Sequence, residues 1–333
     1  MAQIVNHEEE EATLEKYLAM VSVLPKERGW LSENIHLYQG FWYSTGDLLG
    51  LLILQNHFQA EPTDILLASY PKSGTTWLKA LIIAISNNQY CMQIDHPLLN
   101  ANPHELIPYL ESYAANNPTD PRPKTFTSES EPSNSLMNTH IPYTALPASV
   151  TASGCRIVYV FRNPKDVLVS YWHFGNKLKP EGMALVSLED VFEQFRRGAS
   201  AYGSYWDHVL GYWKASVDFP GRVLFLSYEE LKKEALCQTR RLSEFLGHPL
   251  DEVMVKKVVD ICSFEKLSNL DVNKSGSQPG GFGSFPVIGN EIFFRKGQVG
   301  DYKNHLTREM MDKMDEITKE KFKGFPELIK NLF

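Results

Sequence analysis

The sequence has few cysteines and no long hydrophobic run, and both absences exclude classes of protein. Its four cysteines are scattered among 333 residues, with no CxxC pair and no second ligand at the spacing of a zinc site. We therefore expect reduced thiols and a cytoplasmic location rather than a disulfide framework. The longest apolar runs, residues 48–54 and 80–85, are too short to cross a bilayer. Because the first residues also lack the apolar core of a secretory signal, we expect neither export nor membrane attachment.

An excess of positive charge is missing as well. Lys and Arg number 33 against 40 Asp and Glu, which gives a net charge of −7. This balance argues against a surface that binds nucleic acid nonspecifically, so we expect no nucleic-acid partner. An acidic protein can still bind a strongly anionic ligand if its cationic side chains converge at one place.

Length and composition are those of a globular chain, with 43% hydrophobic and 22% charged residues. Residues 1–20 are acidic, with four consecutive glutamates at residues 8–11. We predict a mobile acidic segment over residues 1–20 and one domain over residues 21–333, because α/β folds often reach this length as a single domain.

The segment over residues 65–85 indicates an anion site. An apolar run at residues 65–68 predicts a buried strand, a tight turn follows at residues 70–74, and residues 75–84 show the spacing of a helix. The first amides of a helix have no partner within it, and the helix dipole attracts negative charge. Lys72 adds a positive charge, although a plain strand–helix connection is an alternative. The turn has one glycine and its lysine comes first, so it is not a standard nucleotide P-loop, and the residues alone leave the class of phosphate ligand open.

The strand–turn–helix pattern recurs along the chain. Residues 156–161 and 223–226 predict two more buried strands, and Asn163 can cap the helix after the first of them. This alternation predicts an α/β fold with a central parallel sheet flanked by helices. Because ligands bind at the carboxyl ends of parallel strands, we expect Arg162 and Tyr228, which directly follow strands, to lie beside the turn.

Further helices and loops follow from local composition. Amphipathic spacing predicts helices over residues 45–57 and 306–322. Residues 118–135 are rich in Pro, Ser, Thr and Glu, and residues 275–290 are rich in Gly, so both are predicted as loops. The second loop precedes a basic motif and suggests a mobile lid, with a plain surface insertion as the alternative.

Three motifs resemble the signatures of soluble sulfotransferases. YPKSGTTW at residues 70–77 is similar to the family's 5′-phosphosulfate loop, RNPKD at residues 162–166 with Ser170 is similar to its second signature, and RKGQVGD at residues 295–301 to its third. They occur in the family's order, which makes chance agreement a poor explanation. The resemblance runs from LPKERGW, at residues 24–30, to the C-terminus, and that first stretch is most like plant members.

The resemblance implies a fold, a donor and a set of binding residues. The fold is the P-loop nucleotide-kinase-like α/β fold of sulfotransferases. The donor is 3′-phosphoadenosine 5′-phosphosulfate, which yields adenosine 3′,5′-bisphosphate, and no metal is implied. A sulfuryl group carries less charge than a phosphoryl group, so protein cations can replace the Mg²⁺ that phosphoryl transfer usually recruits. The residues that match the family's donor site are Lys72, Ser73, Gly74, Thr75, Thr76, Trp77, Arg162, Ser170, Tyr228, Phe264, Arg295, Lys296 and Gly297.

Within this set the resemblance divides the ligand into three parts. It assigns the 5′-phosphate to Thr75 and Thr76. It assigns the adenine ring to Trp77, Phe264 and Tyr228. Cationic side chains and backbone amides suit a phosphate dianion. The residues matched to the 3′-phosphate are Arg162, Ser170, Arg295, Lys296 and Gly297.

Two residues are the candidate catalytic groups. Lys72 would stabilise the leaving phosphate, where negative charge accumulates. His140 would be the general base, because an imidazole suits proton removal near neutral pH. Ten histidines are present, and the resemblance alone selects this one, through the motif Thr-His-x-Pro. Many animal relatives have a lysine two residues earlier. Here Asn138 replaces it, and we expect its amide to donate a hydrogen bond there.

The implied acceptor is a hydroxyl of a small plant metabolite, such as a flavonoid or a brassinosteroid. Aromatic stretches at residues 41–43 and 171–174 are candidates for an apolar acceptor pocket, or else belong to the core. Near the C-terminus Lys303 and Thr307 fit the family's dimer motif loosely, with Arg308 in place of valine, so we expect a monomer or a weak homodimer.

Two other functions are compatible with the anion site. One is a small-molecule kinase related to P-loop enzymes that uses ATP and Mg²⁺. The other is a catalytically silent binding protein with the same fold, against which Lys72 and His140 argue.

Overall fold

The computed structural model describes residues 2–88, 96–123, 135–179, 183–280, 287–330 and 332. The strands are β1 (Lys26–Arg28), β2 (Asn34–Tyr38), β3 (Phe41–Ser44), β4 (Ile65–Ser69), β5 (Leu136–Thr139), β6 (Arg156–Phe161), β7 (Val223–Ser227), β8 (Ser277–Pro279) and β9 (Val287–Gly289).

Helices separate most of these strands, and the described residues include short 3₁₀ turns at Tyr143–Ala145, Asn290–Phe293 and Asp301–Asn304. The helices are α1 (Ala2–Ser22), α2 (Thr45–His57), α3 (Thr75–Ser86), α4 (Pro97–Asn100), α5 (Pro103–Leu106), α6 (Leu110–Asn116), α7 (Ala148–Ser153), α8 (Pro164–Leu178), α9 (Leu188–Arg196), α10 (Tyr205–Asp218), α11 (Tyr228–Lys233), α12 (Ala235–Leu246), α13 (Glu252–Ile261), α14 (Phe264–Asn269), α15 (Asp271–Lys274), α16 (Arg308–Lys321) and α17 (Pro326–Ile329).

The central sheet is parallel and has the strand order β5-β4-β6-β7. Every residue of β4 and β7 is buried, as expected for a sheet covered on both faces. Alternate residues divide between two cores. Leu66, Ala68 and Tyr159 pack in one core with α2, α6 and α10, whereas Leu67 and Val158 pack in the other with α3, α12 and α13.

Most elements predicted from periodicity are confirmed. Residues 45–57 form α2, residues 156–161 form β6, and α16 lies within the predicted helix at residues 306–322. Asn163 caps α8 by accepting a hydrogen bond from the Lys165 amide. Strand β5 and the antiparallel sheet of β1, β2 and β3 were not predicted, because these strands are three to five residues long and give little periodicity.

Residues 2–22 form the N-terminal helix α1, and the mobility predicted for residues 1–20 stays a prediction. Leu14, Tyr17 and Val21 are spaced along one face of α1 and pack on the first core. Tyr17 is buried, and its hydroxyl lies 3.0 Å from His57 Nε2. The prediction of mobility was based on the acidic composition and did not take this apolar spacing into account. The domain boundary at residue 21 stays a prediction.

Both predicted loops extend outside the described residues. Residues 124–134 of the first and residues 281–286 of the second are not described. The described flanks of the second form the antiparallel pair of β8 and β9, and its role as a lid stays a prediction. Among the described helices, none combines the length and the apolar character needed to cross a membrane.

Helices α2 and α6 pack closely at Gly50, where an added Cβ would lie 2.0 Å from the carbonyl oxygen of Glu111. We predict that Gly50→Ala lowers the free energy of unfolding by about 1–3 kcal/mol, since backbone atoms cannot move aside cheaply. Gly211→Ala is the matched control, because its Cβ would meet only the Tyr143 Cβ at 3.5 Å. That variant should be neutral or gain up to about 1 kcal/mol. Urea unfolding measures both, and equal stability would contradict the packing described here.

Candidate active site

One cavity of about 1330 Å³ opens at the carboxyl ends of the parallel strands. The turn at residues 70–74 follows β4, His140 follows β5, Arg162 follows β6 and Tyr228 follows β7. The sheet topology therefore brings residues that are distant in sequence to one edge. The predicted residues that line this cavity are Lys72, Gly74, Thr75, Thr76, Trp77, His140, Arg162, Ser170, Tyr228, Phe264, Arg295, Lys296 and Gly297.

Ser73 is the exception among the predicted site residues. Its side chain is fully buried, does not line the cavity, and has no hydrogen-bond partner for Oγ among the described residues. Its amide donates to the carbonyl oxygen of Tyr70 at 3.2 Å. Ser73 thus closes the turn, and its place in the donor site stays a prediction.

The turn before α3 has a left-handed backbone at Lys72 (φ 66°) and at Gly74 (φ 113°). A Cβ at Gly74 would lie 2.6 Å from ring carbon Cδ2 of Tyr228. Glycine is needed here both for the dihedral angle and for the close approach of the ring. The helix then begins at Thr75, whose amide and the next two have no partner inside the helix.

Lys72 lies against aromatic and cationic groups. Its Nζ is 3.8 Å from the centroid of the Phe174 ring. Burial, followed by the positive charges of Arg295 and Arg162, lowers the pKa of the Lys72 ammonium to about 7. Because nearby like charges disfavour the charged form, an anion bound among these groups would restore it.

Arg162 connects the second and third motifs. Its Nη2 donates to the carbonyl oxygen of Gln298 at 2.6 Å, and its guanidinium carbon lies 4.5 Å from the centroid of the Tyr228 ring. Asp166 is 3.7 Å from Nη2 and also accepts a 2.7 Å hydrogen bond from the Gly300 amide. The loop that carries the third motif is therefore held on the start of α8.

Asp301 holds the two cations of the third motif together. It pairs with Arg295 at 2.6 Å and with Lys296 at 2.7 Å. Burial raises the pKa of Asp301, but hydrogen bonds that include those from Lys296 and Arg295 outweigh it and hold the pKa below its usual range. The next residue, Gly297, has φ 60° and packs against Phe264, whose Cδ2 would lie 2.4 Å from an added Cβ.

His140 is oriented by a backbone carbonyl. Its Nδ1 lies 2.6 Å from the Ser69 carbonyl oxygen, an acceptor only, so Nδ1 carries the hydrogen and Nε2 has the lone pair. No described residue is hydrogen-bonded to Nε2. Burial, and then the positive charge of Lys79, lowers the pKa of His140 to about 3 despite the bond to Ser69, so the imidazole is neutral.

Glu111 holds the backbone of His140 in place through hydrogen bonds. Its carboxylate accepts hydrogen bonds from the His140 amide at 2.8 Å, the Thr139 hydroxyl at 2.9 Å and the Tyr202 hydroxyl at 3.0 Å. Burial is the main cause that raises the pKa of Glu111 to about 7. The carboxyl group thus fixes the end of β5 that carries the histidine.

Sequence reasoning did not identify Glu111. A signal was present, because Glu111 lies among the apolar residues Leu110, Ala114 and Ala115, which are the other buried residues of α6. A charged residue on an apolar face requires buried partners.

Asn138 does not act as expected. Its Nδ2 donates to the Leu67 carbonyl oxygen at 3.1 Å, within the sheet, and the residue does not line the cavity. The asparagine therefore cannot replace the cation that many animal relatives carry there.

The two aromatic stretches have different roles. Tyr171, His173 and Phe174 line the cavity, as one reading of that stretch predicts. Phe41 and Tyr43 are buried in the first core, which is the alternative reading. In the described part of the chain, no three His, Cys, Asp or Glu side chains are grouped so as to hold a metal ion.

Comparison with known proteins identifies the family. A model of the sulfotransferase domain matches residues 62–326. Cytosolic sulfotransferase 12 of Arabidopsis thaliana is 46% identical over 310 residues, which cover 92% of this chain and 91% of the relative. The chain belongs to the sulfotransferase family. A flavonol 4′-sulfotransferase of Flaveria chlorifolia is 42% identical over 86% of this sulfotransferase and 88% of its own length.

Solved structures agree with this assignment. A putative steroid sulphotransferase of Arabidopsis thaliana, at 39% identity, superposes with a TM-score of 0.70 over 92% of both chains. A mouse sulfotransferase complexed with PAP, at 28% identity, gives a TM-score of 0.65 over 88% of this chain and 95% of the other. The α/β sulfotransferase fold is confirmed, and the kinase alternative is set aside.

The sulfotransferase uses 3′-phosphoadenosine 5′-phosphosulfate, and the cavity fits this donor. Four cationic side chains and a helix start are placed for two phosphate groups, and the buried Nε of Arg162 has no partner among the described residues. The donor supplies the sulfuryl group, and its acceptor is a small-molecule hydroxyl.

Removal of the Glu111 carboxyl should destabilise the end of β5. We predict that Glu111→Leu lowers the free energy of unfolding by about 2 kcal/mol or more, because the His140 amide and the Thr139 hydroxyl lose their buried acceptor. Glu111→Gln is the control, since its amide resembles the protonated carboxyl and keeps an acceptor oxygen. Urea unfolding of the two variants tests this, and a leucine variant as stable as the glutamine variant would contradict it.

Proposed function

We propose that this sulfotransferase transfers a sulfuryl group to a hydroxyl of a flavonoid, a brassinosteroid or a similar plant metabolite, with His140 as general base and Lys72 stabilising the leaving phosphate. The arrangement of His140 carries the proposal. Its Nδ1 is bonded to the Ser69 carbonyl, and the residue lines the same cavity as Lys72. A lone pair on Nε2 beside a group that stabilises negative charge is what a hydroxyl acceptor requires.

The role of His140 is to accept the acceptor's hydroxyl proton at Nε2. The low pKa in the protein without ligand keeps the imidazole neutral and its lone pair available. Negative charge bound nearby raises the pKa of an imidazole. The donor's phosphates would therefore make His140 a stronger base at the time when it must act.

The 5′ end of the donor is assigned to the start of α3. Thr75 and Thr76 offer amides and hydroxyls, and Lys72 offers an ammonium group. Negative charge grows on the bridging oxygen as the bond to sulfur breaks, so these groups bind more tightly in the transition state than in the ground state.

The 3′ end is assigned to the second and third motifs. Ser170, two turns into α8, lines the cavity with Arg162, Arg295, Lys296 and Gly297. The ion pairs to Asp166 and Asp301 keep the guanidinium groups in place before the ligand arrives.

The rest of the adenosine is assigned to aromatic residues. Trp77, Tyr228 and Phe264 line the cavity, and the rings of Trp77 and Tyr228 meet edge to face with centroids 5.6 Å apart. We assign them to the adenine ring.

The acceptor end of the cavity is aromatic. Trp30, Tyr109, Tyr171, Phe174 and Phe293 line it. Such a surface suits a flat, largely apolar molecule with few polar groups. The names of the relatives, a flavonol 4′-sulfotransferase and a putative steroid sulphotransferase, support an acceptor of this kind.

His140→Ala tests the base assignment. We predict loss of turnover by about 10²–10⁴-fold, the range of general base catalysis, with affinity for adenosine 3′,5′-bisphosphate largely kept. The assay is transfer of labelled sulfate from the donor to a panel of hydroxylated plant metabolites, in the presence of a chelator, and calorimetry gives the affinity. Turnover close to that of the unmodified enzyme would overturn the assignment.

The pKa of Lys72 predicts how donor affinity depends on pH. In the free enzyme this pKa is about 7, and bound phosphate must raise it. Above pH 7 binding therefore takes up a proton, and the affinity for adenosine 3′,5′-bisphosphate should fall by up to about tenfold per pH unit.

Lys72→Met is the control, because it reports the titration of the ligand's own phosphates. Calorimetric titrations between pH 6 and pH 9 should show that the unmodified enzyme binds adenosine 3′,5′-bisphosphate more tightly than Lys72→Met does, by a factor that increases toward low pH. The same pH dependence in both proteins would contradict the role of Lys72.

A further inference from the structure

A chain of buried polar side chains lies behind the start of α3. The Thr76 hydroxyl is 2.8 Å from His104 Nε2, and His104 Nδ1 is 3.0 Å from Lys79 Nζ. Lys79 Nζ also donates to the carbonyl oxygen of Ile107 at 2.7 Å. Lys79 is fully buried and His104 is nearly so. A buried lysine is rare without a specific set of partners.

The partners of Lys79 decide the direction of the hydrogen bonds. Burial lowers the pKa of Lys79 well below its usual value. Three electron-rich groups nevertheless surround its Nζ and suit its N–H donors: the Ile107 carbonyl, His104 Nδ1 and the face of Tyr109, whose centroid is 4.0 Å away. Nδ1 of His104 is then an acceptor. The hydrogen of the neutral ring lies on Nε2, which donates to Thr76 Oγ1.

The imidazole is held in this position from several sides. The His104 amide donates to Asn102 Oδ1 at 2.8 Å. Its ring stacks on Phe293 with centroids 4.0 Å apart and on Tyr109 at 5.5 Å. A ring fixed in this way keeps one orientation, in which Nδ1 accepts from Lys79 and Nε2 donates to Thr76. We call this pair of hydrogen bonds the relay.

We propose that Lys79 and His104 are positioning residues that turn the Thr76 hydroxyl hydrogen toward the donor's 5′-phosphate. Because Thr76 Oγ1 accepts from His104, its own hydrogen is directed elsewhere, and Thr76 lines the cavity. A threonine hydroxyl can otherwise present either its hydrogen or a lone pair to a phosphate. The inference rests on the proposed function, in which Thr76 contacts the 5′-phosphate.

A comparison of two nucleotides distinguishes this positioning role from a general structural role of the same residues. Calorimetry would compare adenosine 3′,5′-bisphosphate with adenosine 3′-monophosphate, which lacks the 5′-phosphate. His104→Phe keeps the stacked ring and Lys79→Met keeps the length of the chain, but each breaks the relay. We expect each to weaken binding of the bisphosphate roughly tenfold, in line with one hydrogen bond to a charged group, and to leave binding of the monophosphate unchanged.

His104→Gln is the conservative variant, because its carbonyl oxygen can accept from Lys79 while its amide donates to Thr76. We expect it to recover most of the affinity lost in His104→Phe. Thr76→Val should weaken binding of the bisphosphate as much as His104→Phe does. The double variant that combines these two changes should lose no more affinity than either single variant. Additive losses, or equal losses for both nucleotides, would overturn the relay. If the unmodified enzyme bound neither nucleotide, the proposed function itself would fail.

Discussion

Mutual repulsion among converging cations is the constraint on which this site depends. Lys72, Arg162 and Arg295 influence one another closely enough that burial and the two guanidinium groups lower the pKa of the lysine to about 7. Asp166 and Asp301 hold the arginines in spite of this repulsion. A bound polyanion would relieve this repulsion, which is the physical reason for assigning a donor with two phosphate groups to this cavity.

The fold supplies this convergence through its parallel sheet. Each of the four central strands ends at the same edge, and each is followed by a residue or turn that lines the cavity. The third motif comes from a loop far along the chain, tied to the start of α8 by the Gly300 amide and by Gln298. His140 is held by two hydrogen bonds: its amide donates to the Glu111 carboxylate, and its ring Nδ1 donates to the Ser69 carbonyl oxygen.

Much of the fold and of the donor site was predictable from the sequence, because the signals there are local. The strand before the turn at residue 70, the cap at Asn163 and the three motifs are read from neighbouring residues. The partners of Glu111 and the contacts of His104 and Lys79 were not predictable, since they depend on contacts between segments that local patterns do not connect. Ser73 and Asn138 were assigned by motif position, which does not show that the Ser73 side chain is buried or that the Asn138 amide donates to Leu67 within the sheet. The proposed acceptor end depends on how aromatic side chains from several segments are arranged, which composition does not describe.

The most direct test is a calorimetric titration of the enzyme with adenosine 3′,5′-bisphosphate at several salt concentrations in the presence of a chelator. The account predicts one binding site per chain, with an affinity that falls as salt rises and needs no divalent ion. Absence of binding, or binding that requires a metal ion, would contradict it.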